Sequence, residues 1–163
     1  REGDIVSVDA GAIYQGWYSD MARTYAVGEI SPEAAKLVRV TEESFFEGLK
    51  YCVAGNYLSD VSHAIQVHLE SNGFGVIRDY VGHGLGREMH EQPPVPNYGR
   101  PGRGPKLKKG MVLAIEPMVS AGSYAVKVLP DEWTAVTGDG SLAAHYENTV
   151  VITDAEPLVI TLL

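Results

Sequence analysis

Apolar and polar positions alternate over residues 5–10 ("IVSVDA") and 17–27 ("WYSDMARTYAV"), on either side of "YQG". Period-two alternation around a short turn predicts a β-hairpin. The next segment, "SPEAAKLVRVTEESFFEGLKYCV", changes period, with Leu37, Thr41, Phe45 and Leu49 recurring every four residues. That stripe predicts an amphipathic helix, opened by Ser31 as N-cap and Pro32 at the first helical position. A second helix is predicted from about Ser59 to Asn72, with Val61, Ile65 and Leu69 on one face and Gly73 as its stop. Beyond it, short apolar runs near 75–80, 110–116, 123–129, 133–137, 145–153 and 157–161 read as strands separated by glycine and proline turns. Strands, two helices and then many strands predict a single α+β domain over residues 1–163, with no internal repeat and no dividing linker.

One segment fits neither period. "GHGLGREMHEQPPVPNYG", residues 82–99, sets His83 and His90 among glycines and prolines. A helix would not tolerate so many breakers, and the flexible, polar start argues against a strand. It is predicted as a loop, and its two histidines need partners from elsewhere in the chain.

The hairpin supplies the first partners. With Tyr14 and Gln15 as a two-residue turn, Asp20 falls opposite Asp9, where Cβ atoms lie about 4.5–5.5 Å apart. Two bare carboxylates that close repel each other unless a cation sits between them. A register slip would separate them and leave two unrelated acids. Glu116 ends the apolar run "MVLAIE", and Glu147 interrupts "AHYENTVVIT". Taken singly, each could be a strand-end acid reaching solvent. Buried, each would have to be paired, protonated or metal-bound. Asp9, Asp20, His83, Glu116 and Glu147 together form a carboxylate-rich set with one imidazole, which suits two divalent ions a few ångströms apart.

Composition narrows the class. The 163 residues are 45% hydrophobic, enough for one domain with a core. The longest apolar runs, "MVLAI" and "TVVIT", are strand-sized and far below the roughly 18–20 residues of a membrane span. The single cysteine, Cys52, makes no internal disulfide and fits a reducing compartment, so a soluble, cytoplasmic protein is expected. A net charge of −8 argues against nucleic acid as a substrate. The exception is local: "GRPGRGPKLKKG" crowds Arg100, Arg103, Lys106, Lys108 and Lys109, which form either a solvated loop or a docking patch for an acidic partner such as a ribosome. No stretch reads as a secretion signal, and the chain opens on Arg1 already close to a strand, as though inside a domain.

Other chemistries lack their signatures. There is no HExxH, and His63 and His68, five apart, miss the shared helical face of a zincin. No GxSxG elbow is present. "GHGLG" lacks the lysine and following helix of a phosphate loop.

The stretches "GDIVSVDAGAIYQGWYSDMARTYAVG", "GHGLGREMHEQPPVPNY", "MVLAIEP" and "AHYENTVVIT" occur in the order seen in type 1 methionine aminopeptidases, which the chain resembles over nearly its whole length. "PPVPNY" and "LPDEWTAVTGDGSLAAHYENT" favour that branch over the Xaa-Pro aminopeptidases. The resemblance implies a pita-bread metallopeptidase fold that hydrolyses the N-terminal methionyl bond of nascent proteins with two divalent metal ions (Co, Mn, Fe or Zn). It makes Asp9 the bidentate ligand of one metal, His83 and Glu116 ligands of the other, and Asp20 and Glu147 the bridging pair. Glu116 would also shuttle the water proton, His90 would touch the scissile amide, and Trp133 and Met89 would stand near the methionine pocket. The family carries a further segment ahead of "GDIVSVD", so the fold is expected to be incomplete at its N-terminus. An inactive fragment, a pita-bread binding module and an Xaa-Pro aminopeptidase remain the alternatives.

Overall fold

The structure, a computed structural model, describes residues 1–162. The expected span of 1–163 therefore ends on a residue outside the described ones. The chain begins with β1 (Ile5–Tyr14) and β2 (Trp17–Ala26), then α1 (Pro32–Leu49) and α2 (Leu58–Ser71). The strands β3 (Gly75–Val76), β4 (Gly82–Gly84), β5 (Glu91–Val95), β6 (Val112–Ile115) and β7 (Met118–Ser120) follow. Last come β8 (Val126–Val128), β9 (Ala135–Thr137), β10 (Ala143–His145), β11 (Glu147–Val151) and β12 (Leu158–Val159).

The main sheet runs β1-β2-β11-β6-β4-β5, with β12 added on β11 and β1 at one edge. A smaller sheet, β10-β7-β3, meets it, while β8 and β9 form a separate hairpin. The helices pack on each other and against both sheets, which gives the expected α+β architecture. Ser31 caps α1 by accepting from the Ala34 amide at 3.1 Å, with Pro32 behind it, as the sequence predicts. The predicted stripe is the buried one: Leu37, Thr41 and Phe45 are fully enclosed, joined by Val40, Ser44 and Gly48 one step around the helix. At Gly48 a Cβ would stand 2.7 Å from Ile65, so the absence of a side chain sets how closely α1 and α2 approach. Val61, Ile65 and Leu69 from α2 and Leu113, Ile115, Val150 and Ile152 from the sheet fill the same core.

Two local expectations are corrected. The hairpin turns at Gln15 and Gly16, with φ of 50° and 76°, rather than at Tyr14 and Gln15. Positive φ at both central residues is the twist-matched hairpin turn, and Gly16 adopts it without steric cost. Tyr14 therefore pairs with Trp17, Asp9 with Ala22 and Asp20 with Gly11. The slip is two residues, so both acids keep the same face and become diagonal neighbours instead of a direct pair.

The second correction concerns "GHG". Gly82–Gly84 is a strand, paired to β5 on one side and β6 on the other. A Cβ at Gly82 would stand 2.3 Å from the Ala114 carbonyl oxygen, and one at Gly84 the same distance from that of Gln92. The glycines thus serve close packing of neighbouring backbones rather than loop flexibility, and they hold His83 at the centre of a three-strand ladder. Replacing Gly82 with Ala should lower the unfolding free energy by about 1–3 kcal/mol, the usual cost of overpacking. A urea titration reads this as a shift in midpoint, and an unchanged midpoint would show that the ladder can part at no cost.

Candidate metal centre

Strands from both sheets aim acids and imidazoles at one another. Asp20 comes from β2, His83 from β4, Glu116 from the residue after β6, His145 from the end of β10 and Glu147 from the start of β11. His83 Nε2 lies 3.8 Å from Asp20 Oδ2 and 3.6 Å from Glu116 Oε1. The other Glu116 oxygen lies 3.5 Å from His145 Nε2. Donor atoms of Asp20, His83 and Glu147 gather within 4.8 Å, and so do those of Glu116, His145 and Glu147. Glu147 belongs to both groups and so stands between them.

Backbone anchors fix these positions. The Thr149 hydroxyl accepts from the Asp20 amide at 2.9 Å and donates to the Asp20 carbonyl at 2.8 Å. Arg23 donates to the Glu147 carbonyl and, at 2.7 Å, to the Asn148 side chain. The Asn97 amide group donates to the Glu116 carbonyl at 3.0 Å. His83 Nδ1 donates to the Gly84 carbonyl at 2.9 Å, which orients the ring with Nε2 towards the carboxylates, as a metal ligand requires.

The electrostatics call for a cation. Burial first, and then the neighbouring Glu116, Asp20 and Asp9, push the Glu147 carboxyl up to about 10 against the opposing pull of Arg23. Asp20 is raised as well, first by burial and then by Asp9. Asp20 Oδ1, Glu147 Oε1 and His145 Nε2 are buried with no hydrogen-bond partner. Orphaned atoms of this kind are rare in folded proteins, and a divalent ion would engage the bare carboxylate oxygens while neutralising the crowded acids. The residues present fit such an ion.

The other sequence-predicted residues are placed differently. Asp9 shares the face of Asp20 but is exposed and belongs to neither donor group, because the hairpin register sets it opposite Ala22. His90 is exposed, with its ring centroid 4.4 Å from that of His83. The loop that carries it is closed by Glu91, whose carboxylate accepts from the Arg87 and Glu88 amides at 2.7 and 2.9 Å. The same loop ties to the hairpin through Arg87, stacked over Trp17, and through Met89, which covers Gly11 opposite Asp20. Trp133 is 88% exposed at the tip of the β8–β9 hairpin, out in solvent. His145 escaped the sequence reading. Its signal is the His-x-Glu spacing with Glu147, since residues two apart on extended chain share a face. Clefts open on both sides of the cluster. One of about 620 Å³ is bordered by His83, His90 and Glu91, and an apolar one of about 550 Å³ by Ile77, Tyr80, Met118 and His145.

A buried carboxylate and imidazole cluster on antiparallel strands, flanked by clefts, has the donor chemistry of a divalent-metal centre. The chain belongs to Metallopeptidase family M24, which matches residues 1–154. It is 66% identical over 162 residues to a methionine aminopeptidase of Clostridium acetobutylicum, covering 99% of this chain and 65% of that protein. Its structure superposes on that of the Thermotoga maritima methionine aminopeptidase with a TM-score of 0.97 at 58% identity, covering 99% of this chain and 65% of the other. A prolidase from Pyrococcus horikoshii matches more distantly, with a TM-score of 0.77, 25% identity and coverage of 99% and 41%. The pita-bread fold expected from the resemblance is the fold observed, and the chain spans about 65% of the length of the methionine aminopeptidases it matches. Family and donor chemistry together support use of a divalent metal at this cluster.

A pH dependence follows for the metal-free protein. Glu147 binds its proton more tightly folded than unfolded, so its favourable contribution is complete below about pH 4.5 and drains away as pH rises towards about 10. Thermal melts in chelator should show stability falling between pH 5 and 8, and Glu147→Gln should flatten that slope. A divalent ion should reverse it, because metal binding favours the deprotonated ligands. An unchanged slope in Glu147→Gln would place the effect elsewhere.

Proposed function

We infer that this chain carries the catalytic metal centre of a methionine aminopeptidase, acting on the N-terminal methionine of peptides and nascent proteins in the cytoplasm. The observation that carries the reading is the pair of donor groups sharing Glu147, with orphaned buried atoms on Asp20, Glu147 and His145. The relatives named methionine aminopeptidase supply the substrate class.

Asp20, His83, Glu116 and Glu147, with Asp9 at the rim, would hold two divalent ions, of which Co, Mn, Fe and Zn suit mixed carboxylate and imidazole donors. When bound, such ions polarise the scissile carbonyl and acidify water. Glu116, its two oxygens facing different histidines, would accept the water proton and pass it to the leaving amine. His90, exposed on its loop beside His83, would donate to the carbonyl oxygen as charge develops there. The apolar cavity beside His145 has room for an unbranched apolar side chain, and Met89 borders the hairpin face that bears Asp20. The exposed Trp133 lies outside that cavity's wall, and we reserve a substrate contact for it only when further chain covers the tip. The loop over residues 100–109 is pinned to the start of α2, where Asp60 accepts from the Gly102 amide and Ser59 from that of Arg103, both at 2.7 Å. It presents Arg100, Arg103, Lys106 and Lys108 to solvent as the surface on which an acidic partner such as a ribosome would dock.

The test is release of methionine from Met-Ala-Ser by protein loaded with Co(II) or Mn(II). His90→Ala should reduce kcat by about 10²–10³-fold, the usual worth of an oxyanion donor, with metal content unchanged. Loaded protein that releases no methionine, together with a Glu147→Ala variant of unaltered metal content, would overturn the reading. Cleavage of Xaa-Pro peptides in preference to Met-Ala would transfer the centre to the prolidase branch.

A further inference from the structure

His90 enters the proposed reaction with an exposed ring that makes no hydrogen bond among the described residues, and it meets the edge of the His83 ring at 4.4 Å between centroids. Its position therefore depends on the backbone that carries it. We propose that Glu91 is the positioning residue for His90, closing the loop over residues 85–90 so that the imidazole is held beside His83 before substrate arrives. The role rests on the reading of His90 as donor to the developing oxyanion.

The ladder between β4 and β5 is irregular at this point. His83 pairs with Pro94 but Gly84 with Glu91, so residues 85–90 leave the sheet and must satisfy their amides elsewhere. A single Glu91 oxygen, Oε1, accepts from two successive amides, those of Arg87 and Glu88, at 2.7 and 2.9 Å. The Gly86 amide donates to the Glu88 carbonyl at 3.1 Å within the same turn. Successive amides converging on an anion form a backbone nest, and bonds to a charged acceptor are roughly twice as strong as neutral ones. A Cβ at Gly86 would stand 3.1 Å from that oxygen, so glycine leaves the carboxylate its seat. The closed loop is then fixed to the hairpin. The Gly86 carbonyl accepts from the Tyr18 amide at 2.9 Å, and the Met89 methyl fills the space over Gly11. Met89 and Glu91 flank His90 along the chain, so both of its neighbours are tied while its own ring is not. The competing reading makes the Glu91 charge itself the active feature, but Oε1 is already spent on the two amides. Opening the nest releases the middle of the loop, and a displacement of about 1 Å can cost about 100-fold in rate.

The test is methionine release from Met-Ala-Ser by protein loaded with Co(II) or Mn(II). Glu91→Ala should lower kcat by about 10–100-fold with KM and metal content unchanged. Glu91→Gln, whose amide oxygen still accepts both N–H groups, should stay within about fivefold of the unaltered chain. In a His90→Ala background, Glu91→Ala should cost no more than about twofold, because residues that act as a unit are not additive. Hydrogen exchange of the metal-free protein supplies a second readout. The Arg87 and Glu88 amides should exchange about 10-fold faster or more in Glu91→Ala, with α1 and α2 unchanged. A full additional loss in the double variant, a Gln variant as impaired as Ala, or unaltered exchange at Arg87 and Glu88 would overturn the role of Glu91 and leave that of His90 standing. A His90→Ala variant of undiminished kcat, or an unaltered chain that releases no methionine, would overturn the reading beneath it as well.

Discussion

Three buried or nearly buried carboxylates crowd two imidazoles at the junction of the two sheets, and their mutual repulsion is the constraint around which the chain is arranged. Left bare, such a cluster opposes folding, because charges removed from water and set against like charges gain nothing in return. The molecule answers in two ways. Glu147 is driven towards its protonated form, and the backbone of each acid is anchored by a hydrogen-bonding neighbour, namely Thr149, Arg23 and Asn97. Repulsion is thereby confined to side-chain tips, where a cation relieves it.

That arrangement explains why the scaffold is made of so many short strands. Asp20 lies within the ten-residue β2, and the other donors sit at or just past strand ends or in a three-residue strand, with ladders bracing the strands that carry them. The core under the sheet, from Phe45 to Ile152, keeps those ladders in place. Rigid framing of this kind is what an ion with strict coordination demands. The exposed His90 is carried by a self-closed loop outside this framework.

Much of this could be read in the residues. Both helices, the α+β class and the set Asp20, His83, Glu116 and Glu147 followed from periodicity and from acids in apolar company. The hairpin register was misplaced by two residues because "YQG" offers two turns, and only the backbone angles at Gln15 and Gly16 choose between them. The error did not disturb the site, since an even slip preserves the face. It does turn a directly opposed pair, Asp9 and Asp20, into diagonal neighbours. The "GHG" strand was illegible for a different reason: glycine demanded by a neighbouring backbone carbonyl looks, in one dimension, like glycine demanded by a flexible loop. His145 is hard to read from the sequence because it ends a strand of the smaller sheet while Glu147, two residues on, begins a strand of the main one.

The position of β1 has a consequence for the chain as a material. Ten residues of extended backbone lie at the margin of the main sheet, and Val6, Val8 and Ile13 are all about half or more exposed. An open row of amides and carbonyls bearing apolar side chains is a template for another strand. Whatever contributes that strand, whether more of the same polypeptide, a foreign peptide or a second molecule, completes the sheet on the side nearest Asp9 and Asp20. Colloidal behaviour and the geometry of the acids are therefore joined at a single strand, and a solution condition that satisfies this margin also shapes the ground on which the ions rest.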